Sequence, residues 1–407
     1  MQTSNQNVPD SKLLGVIFLV FILFFPNLHY IVSIENAVTP LLAFFFAGIQ
    51  LITIFSLTFL IIFPATKIRK VIIFILIIAF LLLLIALWYF HIGPKSDPFV
   101  DQDEAILFGA KDILNGINPY SNPTPLGNPR SPLPGAFILA LPFALFSIDI
   151  SYLMLISFLL FIVLLFCKIE EVEDLEWNFL LITVIILHPI TALSFKYSFD
   201  YYLFGFLQIL GLKVLFNNNY RLSSFIFGIL MSSRPHYWLV YPTLIIYSLI
   251  SIPDKKRKWE FILIITLLPI LIILPFILMD PLLFFNYAPL GNSGSKFHAS
   301  GFYIIFDFLI SNPYLVTLAL LLISAILSLF IGSNKQLIVL QSSMIFMLVL
   351  ILQMGDRYEF NHFGYIIMPY VFAFSHGTYN NLNHEPMFSR IRNRIEPWIR
   401  TSLASFS

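Results

Sequence analysis

Runs of about twenty apolar residues recur along the whole chain, and they decide its fold class before any single residue does. A bilayer core about 30 Å thick is crossed by a helix of about 20 residues. Runs of that kind cover 13–33, 38–63, 71–92, 150–167, 178–195, 200–216, 221–235, 237–252, 259–279, 312–332, 336–354 and 361–377. Only 11% of the residues are charged, against about 25% in a soluble domain. The expectation is an all-α polytopic membrane protein with about 12 crossings. The apolar stretches 132–147, interrupted by prolines, and 301–311 stand apart from these runs. No repeat or low-complexity linker divides the chain, so residues 1–407 read as one membrane domain.

Charge sets orientation. Lys67, Arg69 and Lys70 follow the second run, Lys255, Lys256, Arg257 and Lys258 follow the eighth, and Arg390, Arg392, Arg394 and Arg400 sit in the tail. Placing these clusters in the cytoplasm puts both termini inside and the 93–149 region outside. It requires that 132–147, with Pro132, Pro134 and Pro142, be a juxtamembrane or re-entrant helix instead of a crossing. Residues 378–407 become a basic cytoplasmic tail, and membrane lipids become a partner. The first run, Leu13 to Val32, has no basic leader or small-residue cleavage site and reads as a retained span. A net charge of +1 gives no reason to expect a nucleic acid partner. The single cysteine, Cys167, excludes an internal disulfide framework and a Cys-based zinc cluster.

Against this background the interval 97–133 stands out as the longest polar stretch. Asp101, Asp103 and Glu104 open it, a short helix is expected over 103–115, and a series of prolines interrupts the chain beyond that helix. Carboxylates at a helix start cap free N–H groups and suit the dipole. Three within four residues also repel one another, which raises the pKa of one and favours a proton acceptor near neutral pH. An Asp-x-Asp pair also offers oxygen ligands to a divalent cation such as Mg or Mn, which makes Asp101 and Asp103 candidate metal ligands.

In the same topology Lys196, Asp200, Arg234, His236, Lys296, His298, Asp356, Arg357 and His362 fall on the side of the acidic loop. Acids facing cations across one outward cavity suit a phosphate held beside a general base. Each residue has a plainer reading: Asp200 as a helix cap, Arg234 as a snorkelling side chain, Arg357 as the partner of Asp356 or Glu359. His188 and His91 read as interfacial histidines, and neither a Walker loop nor an HExxH spacing occurs.

The order Asp103-Glu104, Gly116, Asn118-Pro119-Tyr120, then Pro132-Leu133 with an apolar helix, resembles the glycosyltransferase-C superfamily. Within it the likeness is to enzymes that take mannose from a polyprenyl-phosphate donor. Ser131-Pro132-Leu133-Pro134 departs from the aromatic and two prolines frequent in relatives. The resemblance implies transfer of a hexose from a polyprenyl-phosphate sugar to a glycan, lipid or protein on the outer face, with inversion. It implies a catalytic role for Asp103 with Asp101 and Glu104, and a second acid at Asp200. Donor phosphate would meet Arg357, Arg234, His362, Lys296 and His298, while Tyr120 and Arg130 would shape the loop or meet the acceptor. No cofactor is required, since the leaving group is a monophosphate. The rival readings are a lipid-linked-oligosaccharide flippase or transporter, with charges at mid-bilayer on broken helices, and a polysaccharide polymerase or ligase.

Overall fold

The computed structural model describes residues 102–124, 127, 130–166, 201–287, 313–331, 334–353, 368–369 and 371–373. The expected crossings at 13–33, 38–63, 71–92 and 178–195, the stretch 301–311, most of 361–377 and the 378–407 tail lie outside the described residues. Every regular element among those described is helical.

The first helix, α1, spans Gln102–Leu114 and ends where glycine allows it to. Gly116 has φ +69°, Ile117 N–H donates to Asp112 O at 2.8 Å, and Gly116 N–H donates to Ile113 O at 3.1 Å. That left-handed closure satisfies carbonyls that the helix end would strand. After a proline-rich loop, α2 spans Pro134–Leu145, with proline at the first position, where a missing N–H costs nothing. Gly109 of α1 lies against the Phe137 ring; a Cβ there would stand 2.5 Å from it, so only glycine lets the two helices close.

Ser151–Phe166 forms α3 and Tyr201–Phe216 forms α4. Phe158 meets Tyr202 edge-on at 5.3 Å, and Lys213 Nζ donates to Leu164 O at 3.1 Å, so the two helices run parallel. Then α5, Tyr220–Met231, returns antiparallel to α4 after a three-residue turn, capped by the Asn219 side chain on Leu222 N–H. Ser223 Oγ donates to Gly211 O at 2.9 Å across that pair. A 3-10 turn, Pro235–Leu239, leads into α6, Val240–Ser251.

The long helix α7, Lys255–Met279, starts at an Asp254 cap. Arg221 pairs with Glu260, and Gly228 touches Leu268, so α5 runs parallel to α7. Tyr241 and Thr266 share a hydroxyl hydrogen bond at 2.8 Å, and Lys258 Nζ donates to Leu249 O at 2.7 Å, so α6 runs antiparallel to it. Consequently α5 and α6 are the arms of one hairpin with its tip at Ser232–Leu239. Each arm has 12 residues and spans about 18 Å, well short of a bilayer core. Among the described residues, α7 alone is long and apolar enough to cross a membrane.

A short helix, α8, spans Pro281–Tyr287, and α9 (Pro313–Ser328) and α10 (Asn334–Gln353) follow among the described residues. Leu239 at the tip packs with Leu320, Met344 and Leu348, and Ser324 Oγ donates to Leu239 O at 3.1 Å. Gln341 Nε2 donates to Thr243 Oγ1 at 2.8 Å just below. The tip therefore lies level with the middle of α10, and α10 continues beyond it. Both α3 and α4 start at the tip end, and the 12-residue α2 is seated there too.

Candidate functional site

The prolines and asparagine after α1 fold the loop into a ledge built on one buried ion pair. Arg130, 4% exposed, pairs through Nη1 with Asp112 in the last turn of α1, and the same nitrogen donates to Pro119 O at 2.9 Å. Asn122 Nδ2 donates to Asp112 Oδ2 at 3.2 Å. Asp112 has no place in the sequence-based site, although a signal existed. A carboxylate in the last helical turn opposes the dipole and needs a cation, and Arg130 supplies it from the far side of the proline run.

Tyr120 sits on this ledge at 3% exposure. Its N–H donates to Asn118 Oδ1 at 3.0 Å, an Asx turn that aims the ring inward, and its phenol donates to Pro132 O at 2.9 Å. The ring lies 5.6 Å from Phe137 and edge-on to Phe284 of α8 at 5.4 Å. Burial pushes the phenol pKa well above its ordinary value, and the positive charge of Arg234 opposes the shift. Arg234 belongs to the hairpin tip, which adjoins the loop.

Main-chain bonds fix the contact. Leu133 N–H donates to Ser233 O at 3.0 Å and Gly135 N–H to Ser232 O at 2.8 Å. A Cβ on Gly135 would stand 2.2 Å from Ser232 Oγ and 2.8 Å from its backbone, so glycine is what lets α2 sit on the tip. Within the tip, Ser232 and Ser233 hydroxyls both donate to Ile229 O, and Trp238 Nε1 donates to Met231 O at 2.9 Å. Arg234 is held between them in extended backbone at 8% exposure, its guanidinium 5.9 Å from the Phe204 ring of α4. His236 lies beside it, 4.8 Å ring to ring from Tyr237.

Of the expected site residues, the structure thus brings together Tyr120, Arg130 and Arg234. Glu104 lies half-buried in the first turn of α1. Asp103 is in the same turn, its side chain outside the described residues, as are Asp101, Asp200, Lys296, His298, Arg357 and His362. Among the described residues no cluster of three His, Cys, Asp or Glu side chains exists, and the candidate metal ligands Asp101 and Asp103 are not among the side chains described. Chemically, the described part offers the Arg234 guanidinium against an aromatic ring, beneath a polar loop that Arg130 holds and whose helix begins with acids. A planar cation held against an aromatic face presents its fork in a preset direction, which suits phosphate oxygens.

No protein-family model matches the chain, and neither does any curated protein or solved structure.

Proposed function

We propose that the chain is a membrane-embedded glycosyltransferase that moves a monosaccharide from a polyprenyl-phosphate donor to a glycan, lipid or protein acceptor on the outer face. The observation that carries this reading is the seating of the acidic-helix loop on the Arg234 tip through the Leu133 and Gly135 backbone bonds. It ties the segment that bears the acids to a buried cation. The exposed apolar flank of α7, with Leu271 63% and Leu278 72% exposed, favours acyl chains as its surroundings. A polytopic topology with both termini inside, the α5/α6 hairpin as a short-armed pair and α2 as the juxtamembrane helix complete the proposal.

In this reading Asp103 takes the proton of the acceptor hydroxyl as its oxygen attacks the anomeric carbon. The bond from that carbon to phosphate oxygen breaks on the opposite face, inverting the centre and releasing polyprenyl phosphate. Asp101 and Glu104 tune the base, and Asp200 is a second acid. Arg234 and Arg357, with His362, Lys296 and His298, stabilise the leaving phosphate. Chemistry of this kind needs no cofactor; Mg or Mn at Asp101 and Asp103 would be an addition to it.

Turnover of a labelled polyprenyl-phosphate sugar tests the proposal directly. Asp103→Asn keeps shape and loses proton acceptance, so transfer should fall about 10²–10⁴-fold. Full activity in Asp101→Asn, Asp103→Asn and Asp200→Asn alike would sink it. A second reading, a flippase or transporter for a lipid-linked saccharide, draws on the short-armed hairpin with a buried arginine at mid-bundle. Translocation of a fluorescent lipid-linked saccharide without bond transfer would decide for it.

A further inference from the structure

At the end of the bundle opposite the tip, five cations gather on two helices. Lys255, Lys256, Arg257 and Lys258 are consecutive at the start of α7, and Arg221 stands beside them on α5. The described carboxylates among them are Asp254 and Glu260. Arg257 pairs with Asp254 at 3.4 Å, both well exposed, and Arg221 pairs with Glu260. Lys258 Nζ closes the end of α6 on Leu249 O. Lys255 and Lys256 are exposed, and among the described residues their side chains hold no hydrogen bond or ion pair. Both stand in a first helical turn, where the macrodipole is positive and cations are disfavoured. Their own helix gives them no reason to be there.

The chemistry changes within one turn. Trp259 is 55% exposed and Leu263 59%, and the same flank continues through Leu267, Ile270 and Leu271. On α5 Leu222 and Phe225 are exposed alongside. Cations, then an aromatic ring, then an open apolar flank is the order of layers in a bilayer leaflet: headgroup, interface, acyl chain.

We infer that this end is a docking surface for anionic lipid headgroups. The inference rests on the membrane reading above and not on glycosyl transfer. Anionic headgroups answer both halves of the patch. Their phosphates satisfy Lys255 and Lys256 against the dipole, while their acyl chains cover Trp259 and Leu263. A zwitterionic leaflet supplies the second and not the first.

Native mass spectrometry of the full chain, after reconstitution in nanodiscs mixing phosphatidylcholine with phosphatidylglycerol, reads the retained lipid. The wild type should keep phosphatidylglycerol preferentially. K255Q/K256Q spares the three cations that make contacts, and it should lower that preference about five-fold per cation, about thirty-fold together. High salt should erase the wild-type preference and leave the variant's little changed. Equal retention of both lipids by an inserted wild type overturns the inference alone, as does an unchanged preference in K255Q/K256Q. A chain that stays in solution without detergent or lipid overturns it together with the membrane reading. The chain's own acidic run Glu170, Glu171, Glu173, Asp174 and Glu176 is a rival occupant. If phosphatidylglycerol preference appears only after neutralising that run, the patch belongs to it and the inference fails.

Discussion

The two ends of the α5/α6 hairpin carry similar residue types and use them in opposite ways. At the tip end Arg130 and Asp112 pair at 3% and 14% side-chain exposure, and Arg130 also holds a loop carbonyl. At the other end Arg221 and Glu260 pair at 73% and 27% exposure. Water competes for the second pair far more than for the first. A buried pair is costly to assemble, but removing one member strands the other charge without solvent. An exposed pair returns both partners to water at little cost. Thus the tip-end charges hold a local structure in place, while the opposite end presents its charges outward.

Four substitutions test that contrast. Asp112→Ala should cost about 3–5 kcal/mol in a denaturant titration in detergent, because Arg130 is left buried and unpaired. If it costs no more than a surface change, burial does not separate the two ends. Gly135→Ala comes next, at about 1–3 kcal/mol, since its Cβ would overlap Ser232 and lift α2 from the tip. Its sharper sign would be faster exchange of the Leu133 and Gly135 amides; unchanged exchange would mean the loop is held elsewhere.

Tyr120→Phe should cost about 1 kcal/mol at neutral pH through the lost bond to Pro132 O. It should also alter the alkaline limb. Burial raises the phenol pKa in the folded state, so the wild type keeps this contribution below pH 10.0, the ordinary tyrosine value, and loses it as pH rises through the folded pKa. The phenylalanine variant lacks that loss; parallel alkaline curves would contradict the assigned burial. Arg221→Gln should change stability by less than about 1 kcal/mol and become neutral at high salt. A larger or salt-independent cost would place that pair with the buried one.

Much of the described helical framework follows from local rules that the sequence displays. The expected helix at 103–115 is observed at Gln102–Leu114, and the apolar runs 150–167, 200–216 and 312–332 contain α3, α4 and α9. Apolar run length, Gly116 after a helix and Pro134 at a helix start act within a few residues, so they can be read along the chain. The same locality limits the reading elsewhere. The runs 221–235 and 237–252 hold helices of only 12 residues each; hydropathy counts apolar residues without knowing where the helix stops. The Ser-Ser-Arg-Pro break shortens both arms, and contacts with α7 fix their directions.

By itself, then, the sequence determined that the described elements are helical, that α1 ends before Gly116 and α2 begins with a proline, and that a polar interval interrupts the apolar runs. Tertiary structure alone decided that Asp112 answers Arg130, that Tyr120 comes within reach of the Arg234 charge, and that Gly135 closes on Ser232. The physical reason is range. Capping and helix periodicity act over a few bonds, whereas burial and charge pairing depend on which distant surfaces meet, and local propensity does not encode that.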